Sequence, residues 1–165
     1  MGLQYARTYF GSGGVNLTGS TGSNNARQPF GNIATSANTY GLVTSYEVTP
    51  QFIVSGWGGF TNAQSETGAS QNADSFNFAV TFAFPDLFQK GNLGGLIVGV
   101  PPKATSNTNA ARIDRDTSIH LEAFYRYQLN RNISITPGLL MIFSPEHNSN
   151  NATQLVGLLR TTFTF

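Results

Sequence analysis

A chain of 165 residues is long enough for one domain with a sizeable core, yet only 10% of its residues are charged, against roughly 25% in ordinary globular proteins. A net charge of +1 offers no electrostatic footprint for nucleic acid, and the lack of cysteine removes both a disulfide framework and a cysteine zinc site. No run of about 18 apolar residues occurs, so a transmembrane helix is excluded and a strand barrel is the one way such a chain could cross a bilayer.

Period-two alternation predicts about eight extended segments and no sustained helix. In chain order they lie near Leu3 to Tyr9, Thr39 to Val48, Gln51 to Phe60, Phe76 to Phe84, Leu93 to Val100, Ser118 to Leu129, Ile133 to Phe143 and Gln154 to Phe165. Their lengths cluster near the roughly 9 to 11 residues that a tilted strand needs to cross hydrocarbon. The connections alternate in character. Phe10 to Asn38, Thr61 to Ser75, Pro101 to Thr117 and Ser144 to Thr153 are long and rich in Gly, Asn, Ser and Thr, whereas Thr49-Pro50, Pro85 to Asn92 and Asn130 to Asn132 are short. Outer-membrane barrels show this asymmetry, with short turns on one side and long loops on the other. Met1 is followed by Gly-Leu-Gln-Tyr and not by a basic, then apolar leader, which suggests that the chain begins inside a longer parent.

The faces of these segments repeat. Phe76, Phe78, Val80, Phe82 and Phe84 alternate with Asn77, Ala79, Thr81 and Ala83, and Leu121, Tyr125 and Tyr127 alternate with His120, Glu122 and Arg126, where only Phe124 breaks the rule. If the apolar faces met in a water-soluble core, the other faces would carry too few charges for solubility; turned to lipid, the pattern is the expected one. Tyr40, Tyr46, Phe52, Phe60, Tyr125, Tyr127 and Phe143 lie near strand ends, as aromatic girdles do. Trp57, between Gly56 and Gly58, cannot be assigned to a face. Pro137 interrupts a strand, and a bulge is predicted there.

With the apolar face outward, Glu47, His120, Glu122, Arg126 and Arg160 are predicted to point into a lumen, where they either stiffen the wall as a salt-bridge network or bias which solutes pass. His120 and Glu122 are two residues apart on one face, but two ligands do not make a metal site and His147 lies in a distant loop, so no metal or other cofactor is expected. The run Ala111 to Asp116 reads as a solvated loop held by local ion pairs, or as a segment that folds inward and narrows the mouth. Gly11 to Gly14 lacks the residues of a phosphate loop and reads as flexible. No nucleophile with a paired base can be assembled from two separated histidines and no cysteine, so catalysis is not expected.

The block from Asp116 to Asn148, D-T-S-I-H-L-E-A-F-Y-R-Y-Q-L-N-R-N-I-S-I-T-P-G-L-L-M-I-F-S-P-E-H-N, and the ending V-G-L-L-R-T-T-F-T-F resemble the C-terminus of cyanobacterial OprB-type carbohydrate-selective porins, also called iron-uptake porins. Pro85 to Asn92, P-D-L-F-Q-K-G-N, and the G-G-L-I-V-G-V-P-P-K that ends at Lys103 are similar to the same family. The resemblance implies an all-β, antiparallel, up-and-down transmembrane barrel of about sixteen strands, of which this chain would be the C-terminal half. The family's signal peptide, surface-layer-homology domain and coiled segment have no counterpart here. It implies passage of small hydrophilic solutes, inorganic ions including iron and carbohydrates, across the bacterial outer membrane. It also implies contact with outer-membrane lipid, and allows a homo-oligomer of the full-length parent. Phe163 and the terminal Phe165 are similar to the signal read by the barrel-assembly machinery. Two other architectures fit the alternation alone: a complete eight-stranded barrel serving as anchor or adhesin, its lumen plugged by Glu122, Arg126 and Arg160, and a soluble carbohydrate-binding sandwich.

Overall fold

In the computed structural model, which describes residues 1–165, the strands are β1 (Gly2–Phe10), β2 (Thr35–Thr49), β3 (Phe52–Ser65), β4 (Asn72–Pro85), β5 (Leu93–Asn107), β6 (Ile119–Gln128), β7 (Ile133–Phe143) and β8 (Gln154–Phe163). A four-residue helix, α1 (Asn24–Arg27), lies in the connection between β1 and β2. The strands form a single antiparallel sheet in sequence order, and β1 does not pair with β8. The predicted up-and-down all-β fold is therefore present as an open sheet. There is no second layer of the kind a sandwich requires, and the self-closed small barrel is not formed.

Register settles which residues share a face, because residues directly opposite in neighbouring strands point the same way. One face carries the line Leu42, Gly58, Phe78 and Val100, and after it Leu121 and Met141. Its side chains meet no other layer: Phe78 is 42% exposed and Leu159 72%. We call this the outer face. Aromatic rings bound it above and below. Tyr5 and Tyr40 pack at 5.3 Å beside the Tyr40, Phe60 and Phe76 line, and at the other end Phe52 stacks on Phe82 and Phe84 at 6.3 and 5.3 Å. Beyond the upper ring row the outer face turns polar. Arg7, Asn38, Asn62 and Asp74 are in register, with Tyr5 Oη donating to Asn38 Oδ1 (2.9 Å) and Asn62 Nδ2 to Asp74 Oδ1 (2.8 Å).

Strands β2 to β5 run 14 or 15 residues, longer than hydrophobic periodicity predicts, and the excess lies at the long-connection end. The ladder continues there with Asn, Asp, Ser, Thr and Ala in place of large apolar residues, so pairing outlasts the apolar signal. β5 even includes Pro101 and Pro102, accommodated where the β4–β5 register shifts between Phe76 and Phe78. The bulge predicted at Pro137 is absent. Pro137 pairs with Leu159 in unbroken register, and on the other side the β6–β7 ladder skips from Phe124–Gly138 to Tyr127–Ile135 without a slip. The missing donor is absorbed as a gap in hydrogen bonding, not as an extra residue.

The turns at the other end are compact. In the 86–92 turn Asp86 N donates to Asn92 O (2.9 Å), and buried Asn92 bridges β6 by donating to Tyr125 Oη (2.7 Å) and accepting from Gln128 N (2.9 Å).

Candidate functional site

The inner face follows from the same register. Val43, Trp57, Ala79, Gly99 and His120 form one row, and Ser45, Ser55, Thr81, Ile97 and Glu122 the next. Glu47 lies on this face opposite Ile53, Arg126 opposite Leu93, and Arg160 opposite Thr136. All five charged or titratable residues singled out from the sequence thus share one face, and Trp57 joins them. Phe124, the exception to the alternation of its strand, also points inward. Its ring lies over Gly95, where a Cβ would come within 2.2 Å of Cζ, so the glycine makes the space that the ring fills.

The five do not form an ion-pair network. The only contact between oppositely chargeable side chains is His120 Nε2 to Glu122 Oε2 at 3.5 Å. Glu122, Arg126 and Arg160 instead line a hollow of about 390 Å³ spanning β5 to β8, together with Thr136 and Thr162. The salt-bridge plug is overturned for these groups: residues on adjacent strands spread their charges along the wall instead of pairing them. No cluster of three His, Asp or Glu residues converges anywhere.

What the sequence did not disclose is how the connection 11–34 runs. It folds back against the inner face near the long-connection end. Phe30, Leu17 and Ile33 pack on Ala37, Ala63 and Ala73, which are in register with one another, and Ala104 is buried beside them. Alanine at these positions lets the backbone of the connection approach the sheet; a larger or polar side chain would hold it off. These alanines, on a face otherwise carrying Ser, Thr and Asn, were the available signal.

Polar anchors fix the connection on the far side. Ser23 caps α1 by accepting from Ala26 N (3.0 Å), and its Oγ donates to Asp114 Oδ2 (2.5 Å). Asp114, 7% exposed, also accepts from Asn25 Nδ2 (2.9 Å) and from Ala104 N (2.7 Å). Arg112 Nη1 donates to Gln28 O, Asn107 Nδ2 to Pro29 O, and Asn24 N to Glu146 Oε2. Gly22, at φ +72°, passes so close to Pro102 that a Cβ would lie 2.2 Å from its carbonyl oxygen. The local ion pairs expected within Ala111 to Asp116 are not formed. Asp114 is turned onto the inward-folded connection, and Asp116 onto Ser149 N (2.7 Å).

His147 completes this junction. Its Nδ1 accepts from Ser118 N (2.8 Å), which places the ring proton on Nε2, 3.0 Å from Pro102 O. The same carbonyl accepts from Ser23 N (3.1 Å). Phe163 lies on the outer face opposite Ile133, and Phe165 is fully exposed beyond the end of β8.

Comparison with known proteins agrees with this geometry. The chain is 44% identical to an uncharacterized protein of Synechocystis sp., over its whole length and 34% of that protein's. It is 33% identical to an uncharacterized protein of Nostoc sp., over 80% of this chain and 22% of the relative. The chain therefore spans about a third or less of the curated relatives it matches. No solved structure matches it. The profile of the carbohydrate-selective porin family, OprB, matches residues 2–165, and the chain belongs to that family.

Proposed function

We propose that this chain is the C-terminal part of an outer-membrane porin through which small hydrophilic solutes diffuse passively, carbohydrates and inorganic ions including iron among them. The observation that carries the reading is the sheet with two unlike faces: an apolar face with aromatic borders and no covering layer, and an inner face that carries Glu47, His120, Glu122, Arg126 and Arg160 among Ser, Thr, Gly and scattered apolar side chains. Hydrocarbon outside and water inside account for both. Width follows strand number: about eight strands enclose only packed side chains, whereas about sixteen leave a conduit. The missing strands come from the N-terminal remainder of the parent, which would pair with β1 and β8.

On this reading Glu47, His120, Glu122, Arg126 and Arg160 line the conduit and set its preference by sign, since charges on a narrow wall act across low-dielectric surroundings. The connection 11–34 narrows it from within. Iron crosses as a hydrated ion, without a coordinating site. Lipid contacts the outer face, and the barrel-assembly machinery reads the Phe163 to Phe165 end. Planar-bilayer recording of the full-length channel tests the reading: Arg160→Ala should shift the reversal potential toward cation preference and Glu122→Ala toward anion preference. Reversal potentials unchanged in both variants would reduce these groups to scaffolding, and an absence of conductance would remove the porin reading.

A further inference from the structure

The connection between β7 and β8 opens with three residues other than glycine in the left-handed backbone region: Ser144, Glu146 and His147, at φ +47°, +59° and +52°. Side chains disfavour that region, so three such residues in one short turn are held there against their own preference. The holder is Ser118, buried just before β6. Its Oγ donates to Ser144 O (2.5 Å) and accepts from His147 N (2.9 Å), while its N–H donates to His147 Nδ1 (2.8 Å). Held in this way, the turn grips the connection 11–34 at two points. Glu146 Oε2 accepts from Asn24 N (2.7 Å), and His147 Nε2 shares the Pro102 carbonyl with Ser23 N.

We infer that residues 144–147 are an acid-released latch, which keeps the connection 11–34 against the channel wall near neutral pH and frees it when His147 takes up a proton. The decisive atom is Nδ1. A proton there removes the lone pair that receives Ser118 N–H and sets two buried donors against each other. The clamp on the strained turn is undone, the turn relaxes toward ordinary backbone, and Glu146 is carried away from Asn24. Few charges around the ring resist this. Lys103 on β5 opposes a protonated ring, with its Nζ held by Thr117 Oγ1 (2.8 Å). Asp114, in the connection before β6, favours a protonated ring, but both its oxygens are already engaged, by Ser23, Ala104 and Asn25. In that same connection Asp116 is bound to Ser149 N, and on the turn itself Glu146 is bound to Asn24 N. The connection 11–34 meets the junction with Ser23, and its Arg27 is turned to Asn24 Oδ1 (2.6 Å). The bond to Pro102 O survives protonation and does not hold the turn by itself.

The inference rests on the inner face being a channel wall narrowed by the connection 11–34, and the test separates the two. Full-length channel in a planar bilayer is recorded between about pH 7.5 and about pH 5, with polyethylene glycols of graded size added to gauge the opening. Conductance should rise about twofold or more as the constriction leaves the lumen, starting below pH 6.5. The largest polymer that enters should grow with it, and cations and anions should gain alike. In His147→Gln, which has no titrating ring, the step should be absent. In Ser118→Ala, which keeps the ring but drops the Oγ clamp, it should move to higher pH. A conductance flat in pH, a step that persists in His147→Gln or stays in place in Ser118→Ala, or a shift of reversal potential without a wider opening, as a charge gained by His120 on the wall would give, overturns the latch alone. An absence of conductance at every pH overturns the channel reading with it.

Discussion

His147 shows how one side chain couples three segments. Burial pulls its imidazole below the ordinary 6.5, against the bond to the Pro102 carbonyl and the nearby Asp114 charge, with Lys103 adding to the lowering. The folded ring therefore stays neutral where an unfolded one takes up a proton. Stability from this junction is complete above pH 6.5 and is lost progressively as pH falls below it. Asp116 behaves differently. Ser149 donates to it and holds it below its ordinary 3.8, so its contribution persists through the histidine window and fades only under more acid conditions. Amides of residues 11–34 in the full-length protein should accordingly lose hydrogen-exchange protection between about pH 7.5 and about pH 5.5. In His147→Gln the protection should vary little over that interval; equal protection at both pH values in the wild type would contradict the coupling.

Strands carry the next level of the argument, and adjacent residues make the cleanest contrast. Val80 is on the outer face opposite Gly56 and Val98, and Thr81 on the inner face opposite Ser55 and Ile97. Val80→Arg should cost about 2–4 kcal/mol in lipid, as for a cation at mid-bilayer, while Thr81→Arg, on the water-facing side, should cost clearly less. Guanidinium unfolding of the full-length protein in liposomes measures both; similar costs would mean that the faces are misassigned. All eight strands were legible from alternation, and Glu47, His120, Glu122, Arg126 and Arg160 fall on one common face, because period two survives wherever the two faces of a sheet meet unlike surroundings. The outer ends of β2 to β5 were not. Around Asn38, Asn62 and Asp74 the outer face is polar and the inner face carries only Ala, Ser and Thr, so alternation of large apolar residues has nothing to report. The path of 11–34 was hidden for another reason: its anchors, such as Ser23 to Asp114, join residues far apart in sequence. Trp57 was ambiguous because the glycines on either side of it carry no sign of facing.

For the molecule as a whole the unpaired edges matter most. β1 has only β2 as a neighbour and β8 only β7, so each presents a row of free backbone donors and acceptors. The 165-residue chain refolded alone in detergent should run as mixed oligomers, whereas the full-length protein should run as one species whose gel mobility changes on boiling. A monodisperse, heat-modifiable monomer from the short chain would instead mean that β1 can close on β8.

The polar row of Asn38, Asn62 and Asp74, in which Asn62 donates to Asp74 and Asn38 accepts from Tyr5 below it, would act as a waterline. It sits one residue pair above the rings of Tyr40, Phe60 and Phe76, and raising the hydrocarbon past it would submerge the Asp74 carboxylate. On the porin reading a thicker bilayer should therefore thin around this wall, because the wall cannot sink to meet it. Side-chain chemistry, and not strand length, sets how deep the protein rides.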